Sequence, residues 1–150
     1  TMRDPIKRLW SHTKFHLQLT GHLDKLETWG PPEFAEFIQR RHIWVNAEYG
    51  TVLRNLKGGL SHEMYKVIFY ENLHQDQRGT LRGIEDFLDL PPFDYPQAVL
   101  EQRFTESVKH KMPAFFPTLV REDVMRICDE VSAEGYQVPD RWTVPAPVDA

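Results

Sequence analysis

At 150 residues the chain has the length of one domain, and 18 Lys and Arg against 22 Asp and Glu leave a net charge of −4. That balance removes the bulk electrostatic case for nucleic acid or an anionic membrane as partner, so any anion site has to be local. The single cysteine, Cys128, excludes an internal disulfide and leans towards a reducing, cytoplasmic setting.

In chain order, RDPIKRLWSHTKFHLQL predicts a helix from Pro5 to about Leu17, with Asp4 as cap and Pro5 in the first turn. Ile6, Leu9, Trp10, Thr13 and Leu17 recur at helical spacing and mark its core face. Arg3, Lys7, Ser11 and Lys14 fall on another stripe. A guanidinium, a hydroxyl and a helix N-terminus in that order can grip a phosphate, and from spacing alone a solvated basic face explains the same stripe.

TGHLDKLETWGPP reads as a loop, and PPEFAEFIQRRHIW as a second helix with Phe34, Phe37 and Ile38 on one face. NAEYGTVLRNLKGGL predicts a third, capped by Asn46 and stopped near Gly58-Gly59. Lys66 to Tyr70 differs. Val67-Ile68-Phe69-Tyr70 is a continuous β-prone apolar run, the pattern of a parallel strand buried on both faces. QRGTLRGIEDFLDL returns to helix, with Leu81, Ile84, Phe87 and Leu88 inward and Glu85-Asp86 solvated. QAVLEQRFTESV predicts a short helix. TLVREDVMRICDEVSAEG predicts an amphipathic one, with Val120, Val124, Ile127, Cys128 and Val131 on its core stripe and a stop at Gly135. The proline-rich tail has Trp142 as an anchor. No apolar run reaches the length of a membrane span.

One convincing strand, plus a stub at Thr1-Met2, leaves backbone groups to be paired. Either the strand reading fails and the chain is all helical, or the remaining sheet precedes Thr1. The expectation is the second, an α/β fold, mostly helical here with one clear buried parallel strand.

RDPIKRLWS resembles the 3′-phosphate motif of the PAPS-dependent sulfotransferases, in which a strand ends in Arg, an acidic residue or Asn and a Pro often follow, and a Ser lies eight positions after the Arg. Here these are Arg3, Asp4, Pro5 and Ser11. YKVIFYENLHQDQRGTLRGIEDFLDL is similar to the family's strand, YEDL turn and helix ending in FLGL, with Tyr70-Glu71-Asn72-Leu73 and Phe87-Leu88-Asp89-Leu90 in those places. AEYGTVLRNL around Tyr49 resembles the preceding segment of the bacterial and heparan-type branches. The three occur in family order and cover about Thr1 to Leu90.

The resemblance implies the C-terminal part of a P-loop-type sulfotransferase domain. Its activity would move a sulfuryl group from PAPS to a hydroxyl or amine, leaving PAP, on a small-molecule or carbohydrate acceptor. Arg3 and Ser11 would hold the 3′-phosphate and Tyr70 would contact the adenine. The phosphosulfate loop and the general base belong before Arg3 in the family. They are therefore expected upstream of Thr1, which would leave this chain inactive alone and would allow a Golgi-lumenal setting if an anchor lies there too. Asn72 and Asp89 depart from the usual family residues at their turns. Lys109 or Lys111 could stand in for the family's C-terminal phosphate-gripping motif.

Other groupings carry less. His12 and His16 are four apart, a metal-chelating spacing, but no third ligand follows at a recognised distance, so no metal is expected. Cys128 reads as a core thiol. Two rival readings remain: a helical interaction module without catalysis, or a piece of another P-loop enzyme such as a nucleotide kinase.

Overall fold

Asp4 and Pro5 start the first helix as their chemistry dictates. In a computed structural model, which describes residues 1–102, 109–140 and 142, α1 spans Pro5–Leu19. The Asp4 carboxylate accepts from the backbone N–H of Ile6 (2.9 Å) and Lys7 (3.3 Å), and Pro5 has no N–H to leave unpaired. At the other end Thr20 caps the helix and Gly21, at φ 73°, turns the chain away. Pro5, Ile6, Leu9, Trp10, Thr13 and Leu17 are buried, which is the predicted core stripe with Pro5 added.

The following segments are more broken than their periodicity predicts. The Thr20–Pro32 loop contains a short helix, α2 (Lys25–Thr28), and the second predicted helix divides into α3 (Pro31–Ile38) and α4 (Arg41–Trp44). Next comes α5 (Tyr49–Gly59), with Glu48 at its N-cap position. Asn46 does not cap it; its amide donates to the His42 carbonyl instead (3.1 Å).

The expected strand is absent. Residues 65–68 carry no regular secondary structure, and the only pairing there among the described residues is an isolated parallel bridge between Met2 and Phe69. Met2 N–H donates to the Ile68 carbonyl (2.8 Å) and Tyr70 N–H to the Met2 carbonyl (2.7 Å). Tyr70 already opens a helix, α6 (Tyr70–Gln75). Of the apolar run, Phe69 alone is buried; Val67 and Ile68 are half-exposed. A ladder needs a second backbone alongside, and Met2 supplies a single rung. The described residues are therefore mostly helical, with no strand or sheet, and the α/β assignment with Val67–Tyr70 as a buried parallel strand is overturned.

Asp76 caps α7 (Gln77–Phe87), accepting from Gly79 N–H at 2.8 Å. Leu81, Ile84 and Phe87 are half-buried and Leu88 is exposed, so the predicted inward face is not covered. Glu85, expected in solvent, is buried. It accepts from Arg82 (2.9 Å) and Phe93 N–H (3.1 Å). Burial works to raise its pKa, but bonds from Tyr95, Arg82 and Phe93 outweigh this and hold the carboxyl below the usual range. Asp89 then takes φ 55°, a left-handed conformation that suits the glycine its turn usually carries in the family it resembles.

After α8 (Gln97–Glu101), the rest of the predicted QAVLEQRFTESV helix beyond Gln102 lies outside the described residues. The chain resumes in α9 (Phe116–Leu119) and α10 (Arg121–Ala133), which stops at Gly135, φ 84°, as predicted. No helix among the described residues is long and apolar enough to cross a membrane.

The buried side chains form one core. At one end Trp10 of α1 meets Phe34 of α3 (6.0 Å between centroids) and Phe116 of α9 (5.2 Å), with Trp29 edge-on to Phe34. At the other, α10 packs on α5 and α1, with Leu53, Val124, Ile127 and Val131 fully buried. Trp142, the predicted anchor, is buried between Tyr49 (5.7 Å) and Phe69 (5.5 Å) and ties the tail to the bridge segment.

Candidate functional site

The single bridge between Met2 and Phe69 has a positional effect beyond its two hydrogen bonds. It sets the next residue on each side, Arg3 and Tyr70, next to each other. The Arg3 guanidinium lies over the Tyr70 ring at 4.8 Å from its centroid, a cation–π contact. His74 meets the same ring edge-on at 4.3 Å. An adenine stacking on Tyr70 has to share the ring with these two neighbours.

Arg3 is also fixed through its backbone. Its N–H donates to Tyr49 Oη (3.3 Å), and Tyr49 Oη–H donates back to the Arg3 carbonyl (2.9 Å). One residue further, Asp4 N–H donates to Glu71 Oε1 (3.0 Å). Glu71 is buried and its Oε2 has no partner; Arg3 Nε is likewise buried with none. An unpaired buried N–H on a permanent cation is costly, and an anion is the natural complement of such a group.

Ser11 is half-buried on α1. Six residues separate it from Pro5, about 9 Å of helix rise, on the stripe that also carries Lys14. Burial lowers the Lys14 pKa, and the Arg3 charge lowers it further. The structure thus joins Arg3 to Tyr70 directly and leaves Ser11 further along the same flank of α1. The tip of α1 is a different matter. Its first N–H groups are taken by the Asp4 carboxylate, which also faces Lys7 at 3.4 Å. A phosphate near Arg3 would therefore rest on the side of α1 and not on its N-terminus.

Two residues of the site had no role assigned from sequence, Tyr49 and Glu71. Glu71 lay within the YENL match, and Tyr49 within the AEYGTVLRNL match, but neither spacing reveals that a phenol and a carboxylate hold the backbone around Arg3. Lys109 and Lys111 are exposed, and His110 between them faces Glu27 at 3.8 Å.

The histidines form a separate cluster. His16 packs against His42 (4.5 Å) and His12 approaches the Asn46 amide (3.5 Å). Burial lowers both the His12 and His16 pKa values. Arg8, His16 and His42 add to the shift at His12, and His42 and Arg40 at His16. Among the described residues no group of three or more His, Cys, Asp or Glu is arranged to hold a metal ion. Comparison with family models, with curated proteins and with solved structures found no match.

Proposed function

We propose that this chain carries the 3′-phosphate and adenine side of a PAPS/PAP site and acts in sulfuryl transfer to a hydroxyl or amine acceptor. The observation that carries the reading is the contact between Arg3 and Tyr70. These residues belong to two separate motifs that resemble the sulfotransferases, and a nucleotide site of that family requires the two motifs to meet. Arg3 supplies a permanent charge with an unpaired buried N–H, Ser11 a hydroxyl on the same flank, and Tyr70 an aromatic wall beside them. PAPS would contribute the sulfuryl group; the chain's own part is to recognise the phosphate on the ribose.

Calorimetry with PAP, 5′-ADP and 5′-AMP tests this. The reading expects PAP to bind more tightly than either. It expects Arg3→Ala to cost PAP about ten- to a hundred-fold, the worth of a charge-assisted hydrogen bond, with Ser11→Ala nearer about 1 kcal/mol. Equal affinity for PAP and ADP would favour another nucleotide enzyme. Absence of nucleotide binding would favour a helical interaction module.

A further inference from the structure

The Tyr49 hydroxyl is committed on both sides to one residue. It accepts from the Arg3 N–H and donates to the Arg3 carbonyl, 46 positions away in sequence. The ring itself is buried and packs on Trp142. A phenol that served packing alone would need neither bond, and a phenylalanine would fill the same space. The double contact restrains the backbone on both sides of the Arg3 Cα, and so restrains the direction in which the guanidinium leaves the chain. Burial raises the Tyr49 pKa, so the hydroxyl keeps its proton and both bonds persist at neutral pH.

We infer that Tyr49 is a positioning residue that aims Arg3 and thereby sets the selectivity for a nucleotide bearing a 3′-phosphate. The inference rests on the nucleotide reading above, and deepens it. The Tyr49 hydroxyl is occupied on both sides by Arg3. Its effect passes through the Arg3 backbone, so it acts on the 3′-phosphate increment and not on the rest of the nucleotide. Glu71 supports the same peptide unit from its other end, through Asp4 N–H, and leaves the Arg3 N–H to Tyr49 alone.

The test compares PAP with 5′-AMP in the full chain, for wild type, Tyr49→Phe and Arg3→Ala, alongside thermal unfolding of each. The expected result is a PAP-to-AMP affinity ratio reduced about three- to tenfold in Tyr49→Phe, the worth of one net hydrogen bond, with AMP affinity unchanged. Arg3→Ala removes most of the preference and leaves only the Ser11 contribution. A ratio that stays at the wild-type value in folded Tyr49→Phe overturns the inference while leaving the nucleotide reading intact. No PAP preference in wild type overturns both. If Tyr49→Phe fails to fold, 3,5-difluorotyrosine at position 49 keeps the ring and lowers the phenol pKa. The PAP preference of that protein should then fall as the fluorophenol ionises, because a phenolate cannot donate to the Arg3 carbonyl. A ratio that is flat through that ionisation counts against the role.

Discussion

Gly50→Ala separates the space at one helix contact from every other effect of a glycine. Gly50 is buried in the first turn of α5, where α5 crosses α10. It is not among the glycines with positive φ, so its backbone accepts alanine. A Cβ there would sit 2.6 Å from the Glu130 Cβ and closer still to its carboxylate. The carboxylate can swing away, giving up its 2.9 Å pair with Arg126 and the 3.5 Å contact with Arg54. The Glu130 Cβ cannot, because it is fixed to the α10 backbone, so the two helices have to separate. Overpacking of this kind costs about 1–3 kcal/mol, and the better helix propensity of alanine returns up to about 1. The net expectation is a loss of about 1–2 kcal/mol in urea unfolding, or a Tm lower by about 2–8 °C for a chain of this size. Gly58→Ala is the control. Gly58 lies in the same helix with nothing within 4 Å of its would-be Cβ, so it should be neutral or stabilising by up to about 1 kcal/mol. Equal behaviour of the two variants would refute the close approach of α5 and α10. Because Tyr49 is the adjacent residue, Gly50→Ala should also weaken PAP binding.

Tyr70→Phe should leave PAP affinity within about twofold, whereas Tyr70→Ala should cost about 1–3 kcal/mol, since the ring face is what base and guanidinium both use; equal loss in both, by calorimetry on folded protein, would reassign the role to the hydroxyl. Asp4→Ala should lose about 1–2 kcal/mol and Asp4→Asn far less, because either oxygen-bearing side chain can cap α1, with Lys7 too exposed to add much. The folded-state pKa values of His12 and His16 lie below 6.5, so the unfolded chain takes up protons first as the pH falls. Their stabilising contribution is full above pH 6.5 and is lost as the pH falls through their folded values. A His12→Gln, His16→Gln double variant should show a shallower decline of urea stability across that window. The Cys128 thiol is pushed up to about 11 by burial, then by Asp129 and Asp4. Iodoacetamide at neutral pH should therefore label it far more slowly in native protein than in urea, and equal rates would contradict its packing against the core.

The start of α1 and the stop of α10 were readable in the sequence because the signals are local. An Asp-Pro start and a glycine stop act on their own backbone. The misread strand is instructive in the opposite sense. Val67-Ile68-Phe69-Tyr70 has the composition of a buried strand, but strand formation is decided by the partner backbone, and Met2 offers one rung. Glu85 was misjudged for a similar reason. A carboxylate beside another on a helix is normally solvated, and only the return of the chain at Phe93 and Tyr95 shows why this one is buried. At the candidate site, Arg3, Ser11 and Tyr70 were singled out by their resemblance to a motif, and the structure brings Arg3 and Tyr70 together. Tyr49 was not, since its hydroxyl acts on a residue with which it shares no sequence pattern.

The bonds that fix the Arg3 segment span 46 and 67 residues, and this bears on the order in which the molecule assembles. The entropy of closing such loops must be met before either contact forms, although it grows only by about 0.6 kcal/mol per doubling of length. Helix α1 can form from its own cap and stripe, but at that stage Arg3 has no fixed direction. The proposed anion site would come into being only once α5 and the 69–71 segment have both docked, late in folding. A partly opened molecule would accordingly hold α1 and lack the site, so nucleotide would bind the native state and no other. The whole of its binding free energy would then appear as resistance to unfolding. Hydrogen exchange at the amides of Arg3 and Asp4 would slow with added PAP as much as exchange in the most protected part of the core.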